Sequence, residues 1–306
     1  MDALLVILGV LLGAVLVCNF GGSKGLEIID GAEITFNTIT SLGGSIHRLV
    51  STQYENCLET VIQICKYSCT TDIQEISPTE FREISRWLNR KKFLKFKILD
   101  EEHIDIYYNA SVSKIGRIEL DGRLMGLELN IVTDSPHAFK EPKILNVKLK
   151  EVYGWEQYID GEYIGYVTST NGDEYPQDGL PIDDGTHIYQ YLYLGKIYEG
   201  SINDTSHEEG YIYPHTEITI VEDGNLKIYN AIEDRTTYIK NCVAGEVITL
   251  DYPIIQSSVS SHNIQNDFNW NFFRVANTYE NSRNDLIVTL PCSIKMQYSP
   301  IVKVGL

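Results

Sequence analysis

The chain has 306 residues, 43% hydrophobic and 22% charged, which is enough for two cored domains and too apolar for global disorder. Its 25 Lys and Arg against 42 Asp and Glu give a formal charge of −17, which repels phosphate backbones and argues against a nucleic-acid groove. Twenty Tyr, 23 Gly and nine Pro suit an all-β chain rich in turns.

The first twenty residues stand apart. Ala3 to Val17 is an unbroken run of apolar residues and glycines. A membrane span wants about 20 such residues and a signal core roughly 7 to 15. The flanks fit neither: Asp2 precedes the run without any Lys or Arg, and Leu16-Val17 is too bulky for a cleavage site. A membrane segment, a helix buried in the fold or an oligomer, and an extension outside the working fold all remain open. Gly21-Gly22-Ser23-Lys24-Gly25 spells GxSxG, but a strand follows where a nucleophile elbow needs a helix, so no nucleophile is read there. Asp30-Gly31 reads as a turn between 26–29 and 33–36. Leu58 to Cys65 alternates and reads as a strand.

Ser77 to Lys92 carries the clearest helix signal. Ser77 is a good N-cap, Pro78 suits the first helical position, and Glu80 completes a capping box. Phe81, Ile84, Trp87 and Leu88 make one apolar face, with Arg82, Glu83, Arg86 and Asn89 opposite. Arg90, Lys91 and Lys92 are expected to close the last turn. One amphipathic helix among strands is expected to brace the open face of a sheet or barrel. Strands are then expected at 93–99, 104–108, 114–121 and 123–133. Asp121-Gly122 joins the last pair as a hairpin, and the final strand is read as buried on both faces.

After these elements the chain reads Thr133-Asp134-Ser135-Pro136, then Ala138-Phe139. A β unit, a capped helix with Ile84, Arg86, Trp87 and Leu88, and a strand pair ending in this motif resemble the distal tail proteins of long-tailed phages. The resemblance implies a belt domain of β-sandwich or split-barrel type, spanning about 20–143, that forms a hexameric ring.

Val152 to Gly200 changes character, with Trp155 and nine Tyr. It is expected to be a separate Trp/Tyr-rich module within 144–205, in which Trp155, Tyr158 and Tyr163 either form a core or stack on sugar rings. Asp173, Glu174, Asp178, Asp183 and Asp184 lack the calcium-loop spacing and read as a solvated acidic loop. Beyond Gly210, strands are expected at 217–222, 225–229, 236–241, 247–250, 286–290 and 292–298, with Asp223-Gly224 as a hairpin turn. Val243 to Asp251, Asn266 to Trp270 and Tyr298-Ser299-Pro300 look like the C-terminal domain of the same phage family. That resemblance implies a galectin-like β-sandwich over 206–306.

No catalytic, cofactor-binding or metal-binding residues are assigned. The seven His are scattered, and the six Cys, which match no zinc spacing, read as buried or semi-buried thiols. Trp270, with His262, Asn269, Asn271 and Arg274, supplies the residue types of a sugar site. The expected architecture is therefore mainly β, with one bracing helix and two domains. The expected role is that of a structural virion protein at the tail tip or baseplate, assembled in the host cytoplasm. Its expected partners are further copies of itself, the tail tube protein and the tail-tip hub protein. A host-surface glycan is the alternative partner, and neither a nucleic acid nor a membrane is expected.

Overall fold

The computed structural model describes residues 57–67, 73–98, 104–171 and 182–303, together with the backbone of three earlier strands. The apolar run through residue 15, the Gly21–Gly25 motif, the Asp30-Gly31 turn, Cys69, Asp173, Glu174 and Asp178 lie outside the described residues. Strands take 60% of the chain and helix 7%, so the mainly-β expectation holds. The chain forms two compact units, Met1–Glu141 with Ile301–Leu306, and Pro142–Pro300.

The first unit holds β1 (Leu16–Cys18), β2 (Ile34–Thr40), β3 (His47–Tyr54), β4 (Glu59–Tyr67), β5 (Ile73–Gln74), helix α1 (Pro78–Leu88), β6 (Leu94–Phe96), β7 (Ile106–Leu120), β8 (Arg123–Thr133) and β9 (Ala138–Lys140). From the far end of the chain β24 (Ile301–Val302) joins it. An antiparallel sheet runs β1-β4-β8-β7-β9-β24, with β5 added to β4 and β6 to β7, while β2 and β3 pair separately. The core is Leu58, Ile62 and Ile64 from the β4 strand region, Leu127, Leu129 and Ile131 from β8, Tyr108 and Val112 from β7, and Ile84 and Leu88 from α1.

Local chemistry explains most of these elements. Ser77 Oγ accepts from Glu80 N, and the Glu80 carboxylate accepts from Ser77 N, so the capping box is closed. Glu80 also takes Lys66 Nζ at 2.6 Å, which ties the helix start to β4. That lysine, more than the cap bonds, holds the Glu80 carboxyl below its ordinary value. Ser77→Ala should cost about 1 kcal/mol, read as a lower denaturant midpoint for this unit.

The helix is shorter than expected. It ends at Leu88 with Asn89 as its C-cap, and Arg90, Lys91 and Lys92 lie beyond it, where Arg90 Nε donates to the Trp87 carbonyl. Ile84 and Leu88 are buried, but Trp87 is only half-buried at the edge of the core.

Two expected strands, 104–108 and 114–121, are one fifteen-residue strand, β7. Its alternation breaks at Ser113 because the register with β8 shifts between Val112 and Lys114, a bulge that looks like a strand end in sequence. The Asp121-Gly122 hairpin is present, with φ of 51° and 77° as a type I′ turn requires. β8 is buried on one face and half-buried on the other, rather than on both.

The second unit holds β10 (Lys143–Val147), β11 (Lys150–Ile159), β12 (Glu162–Ser169), β13 (Ile182–Asp183), β14 (Ile188–Asn203), β15 (Gly210–Ile212), β16 (His215–Ile220), β17 (Gly224–Asn230), β18 (Arg235–Cys242), β19 (Val247–Asp251), β20 (Ile254–Ser257), the short helix α2 (Ile264–Asp267), β21 (Val275–Asn277), β22 (Arg283–Val288) and β23 (Cys292–Tyr298). One sheet runs β10-β23-β16-β19-β20; the other runs β12-β11-β14-β22-β17-β18, with β13 on β14. Ile218, Ile248, Ile294 and Met296 from the first sheet share a core with Leu226, Ile228, Leu286 and Val288 from the second.

The stretch expected as a separate module, 144–205, thus contributes β10 to one sheet and β11 through β14 to the other. The expected hairpin at Asp223-Gly224 is instead a crossing, because β16 and β17 belong to different sheets. A Cβ on Gly224 would meet Leu290 Cδ1 at 2.7 Å, so the glycine is there for close approach at the crossing. The expected strand at 286–290 lies earlier, at Arg283–Val288.

Candidate binding surfaces

The seven-stranded sheet does not stay flat. Between β12 and β17 lie three strands, so in a flat sheet they would stand about 19 Å apart. Yet Tyr166 on β12 and Tyr229 on β17 have ring centroids 5.0 Å apart. Glu156 on β11 also reaches Lys227 on β17, Oε1 to Nζ, at 3.3 Å. The β11–β12 ribbon therefore curls back over the sheet. Its bulges, between Gly154 and Trp155 against β14 and between Gln157 and Tyr158 against β12, supply the extra bend. Gly154 sits at the first: a Cβ there would lie 2.0 Å from Ile197 Cδ1.

Under the curl lies a cavity of about 540 Å³, within the range of about 300–1,000 Å³ typical of ligand sites. Tyr166 and Tyr229 line it, along with Thr168, Glu199, Ser201, Arg283, Asp285, Lys148 and Lys150. Arg283 Nε donates to Asp285 Oδ1 at 2.7 Å, and the Thr168 hydroxyl donates to Glu199. Burial, and then a hydrogen bond to Asp234, push the Tyr229 hydroxyl up to about 12, and burial raises Tyr166 as well.

A second polar cluster is sealed inside the same unit. Glu246 is 0% exposed and its Oε1 takes a hydrogen bond from Ser257 Oγ at 2.5 Å and from His262 Nδ1 at 2.6 Å. Its Oε2 accepts from Val243 N at 2.9 Å. Asp267 Oδ2 is 3.4 Å from His262 Nε2. A serine, a histidine and carboxylates are the parts of a hydrolase site, but here the hydroxyl bonds the carboxylate and not the imidazole. The His262 side chain is 2% exposed, so no substrate reaches it. The cluster is structural.

Comparison with known proteins places the chain. The profile of a phage tail protein N-terminal domain matches residues 14–135, and that of the corresponding phage tail C-terminal domain matches residues 195–298. Together they span well over half of the sequence. The chain belongs to this family of phage tail proteins. None of the curated proteins matches it. Among solved structures it is similar to the Dit (gp 19.1) protein of phage SPP1, described as a paradigm of the hub adsorption apparatus in phages infecting Gram-positive hosts. That match has a TM-score of 0.52 at 8% identity and covers 89% of this chain and 92% of that one, so it speaks for a common fold. The resemblance to distal tail proteins drawn from the sequence stands.

The tail protein sorts the residues singled out from sequence. Trp155 is 0% exposed and packs on Tyr193, so it is core and presents no ring to a sugar. Tyr158 and Tyr163 pack edge to face, with Tyr163 partly exposed. Asp183 and Asp184 cap turns, accepting from Gly185 N and from Thr186 N and His187 N. No group of three or more metal-ligating side chains occurs among the described residues. The free thiols include an exposed Cys57, contrary to the expectation of six shielded ones, because it lies ahead of β4. Burial pushes Cys242 up to about 11 and Cys292 up to about 12, which leaves them unreactive. Among the described residues no helix is long and apolar enough to cross a membrane.

Trp270 does reach the surface of the tail protein. It is 55% exposed and holds a φ of 60°, rare for a bulky residue. Asn269 locks that conformation: its Oδ1 accepts from Tyr238 N and Asn271 N, and its Nδ2 donates to the Thr236 carbonyl. Buried Phe272 contacts both Trp270 and exposed Tyr252, and Tyr252 stacks on Tyr213 at 4.2 Å. Exposed Tyr211 follows, with the Arg274 guanidinium 3.8 Å above its ring. Of the polar partners expected beside Trp270, His262 is turned inward to Glu246, and Arg274 is held by Glu233 at 2.7 Å.

The cavity residues carry no motif. The one sequence signal is charge at alternate strand positions in Arg283 and Asp285, which puts that pair on one face of β22; Lys148 lies in the connection between β10 and β11, and Lys150 opens β11.

Proposed function

We propose that this phage tail protein is a distal tail component whose first unit assembles as a hexameric ring joining the tail tube to the tip or baseplate complex. The observation that carries this reading is a fold shared, across both units, with the Dit protein of SPP1, alongside family matches to both tail domains. The first unit offers a place for neighbours to join. β1 covers β4 only over Ile64–Lys66, and among the described residues no strand pairs with the same edge over Glu59–Gln63. An open edge of this kind is a template for a strand from the next copy, and a head-to-tail contact that closes makes a ring. The second unit is read as a galectin-like sandwich carried on that ring. The work is done by interfaces, with no reaction catalysed, and the chain is assembled in the host cytoplasm before it resides at the virion tail tip.

The native mass of the full chain, measured by light scattering and native mass spectrometry over a concentration series, tests this. A six-copy species that grows with concentration is expected. A chain that stays monomeric throughout, and also in the presence of purified tail tubes, would overturn the ring.

A further inference from the structure

The cavity beneath the curled β11–β12 ribbon has a charge balance unlike the rest of the molecule. In a chain of net charge −17, three cations, Lys148, Lys150 and Arg283, line it against two carboxylates, Glu199 and Asp285. Arg283 is engaged with Asp285, and Glu199 accepts from Thr168. Among the described residues neither Lys148 nor Lys150 has an ion-pair partner. With Glu199 opposite Lys150 across the β11–β14 ladder, the lining keeps one positive charge in excess, and in a field that is otherwise negative this makes a local sink for an anion.

A bare anion fits only part of this lining. It would also face Glu199 and Asp285, which accept hydrogen bonds and repel negative charge. A ligand that presents hydroxyls to the carboxylates and an anionic group to the lysines satisfies both. Ser201 adds a hydroxyl that can donate and accept, and Thr168, whose proton goes to Glu199, adds an acceptor. The Tyr166 ring, backed by buried Tyr229, offers an apolar wall for the face of a pyranose.

We infer that this cavity is a binding site for a saccharide that bears an anionic group, either a phosphate or a carboxylate. Lys148 and Lys150 take the anion, Glu199 and Asp285 take sugar hydroxyls, and Tyr166 forms the wall. The inference stands independently of the ring, because every residue it uses lies in the second unit of one chain.

Titration of the full chain by calorimetry with glucose 6-phosphate, glucosamine 6-phosphate, glucuronic acid and galacturonic acid tests it, with glucose and inorganic phosphate as separate arms. At least one acidic sugar should bind at one site per chain, at least tenfold more tightly than either glucose or phosphate. Lys148→Ala with Lys150→Ala should weaken that binding at least tenfold and flatten its dependence on salt. Both lysines are exposed, so the fold is kept, which an unchanged melting temperature would verify. Asp285→Asn should weaken the acidic sugar yet leave phosphate unaffected or tighter. Phosphate binding as tightly as the sugars would reduce the cavity to an anion site and overturn the inference. So would glucose binding equally well, an acidic sugar that ignores the lysine substitutions, or the absence of binding across the panel.

Discussion

Glu246→Ala should destabilise the second unit by about 3–5 kcal/mol, since each buried donor left without an acceptor costs about 1–3 kcal/mol. Three donors converge on this carboxylate, the Ser257 hydroxyl, the His262 ring and the Val243 amide, and the site is closed to water. Removing the acceptor strands all of them, which costs more than the bonds themselves contribute. Glu246→Gln keeps the volume but replaces one accepting oxygen with an amide donor, so it should lose most of the same energy. The pH dependence has a definite sign. Burial alone would raise this carboxyl, yet the Ser257 and His262 hydrogen bonds hold it below the ordinary value of 4.5. A depressed folded-state value means the stabilisation is complete above pH 4.5 and is lost as the pH falls through the lower folded-state value. Denaturant unfolding of wild type and variant at neutral and acidic pH checks this, with the two units followed as separate transitions. A cost below about 1 kcal/mol at neutral pH would mean that water satisfies the stranded donors.

Trp155→Ala should be comparably severe, at about 3–5 kcal/mol. The indole is fully buried at the bulge where β11 begins its curl, and it packs on Tyr193. Its loss empties the space on which the bend rests, so the cavity beneath the ribbon should lose shape together with stability. The expected record is a lower unfolding midpoint for the second unit and an unchanged one for the first, because the two have separate cores. An equal drop in both transitions would show that the units unfold together. Trp270→Ala is the natural control, since an exposed ring has little packing to lose.

The two tryptophans also show where sequence reading reached its limit. Local devices were legible. The capping box at Ser77 and Glu80 and the Asp121-Gly122 turn are each set by residues close together in sequence, and both formed as read. Pairing was not legible. Asp223-Gly224 has the chemistry of a hairpin turn, yet its flanking strands join opposite sheets, and nothing within a few residues encodes that choice. The composition of the Tyr-rich stretch shifts as that of a separate module would. Its tyrosines instead serve as cross-strand and cross-layer contacts such as Tyr166 on Tyr229. Whether Trp155 or Trp270 faces solvent depends on a sheet curl and a left-handed backbone, both products of tertiary packing. The cavity is hidden for the same reason, because it draws on segments between 148 and 287 that meet only after the ribbon folds over.

The order of units along the chain has one more consequence. The second unit is spliced into the first between β9 and β24, and its own first and last strands are partners, with Lys143 opposite Tyr298. Its entry and exit therefore sit side by side, about 5 Å apart across a strand ladder. A domain with adjoining ends behaves as a cassette. It can be cut out and replaced by a short turn, or exchanged for any other domain whose ends adjoin, while the β9–β24 ladder of the host unit keeps its register.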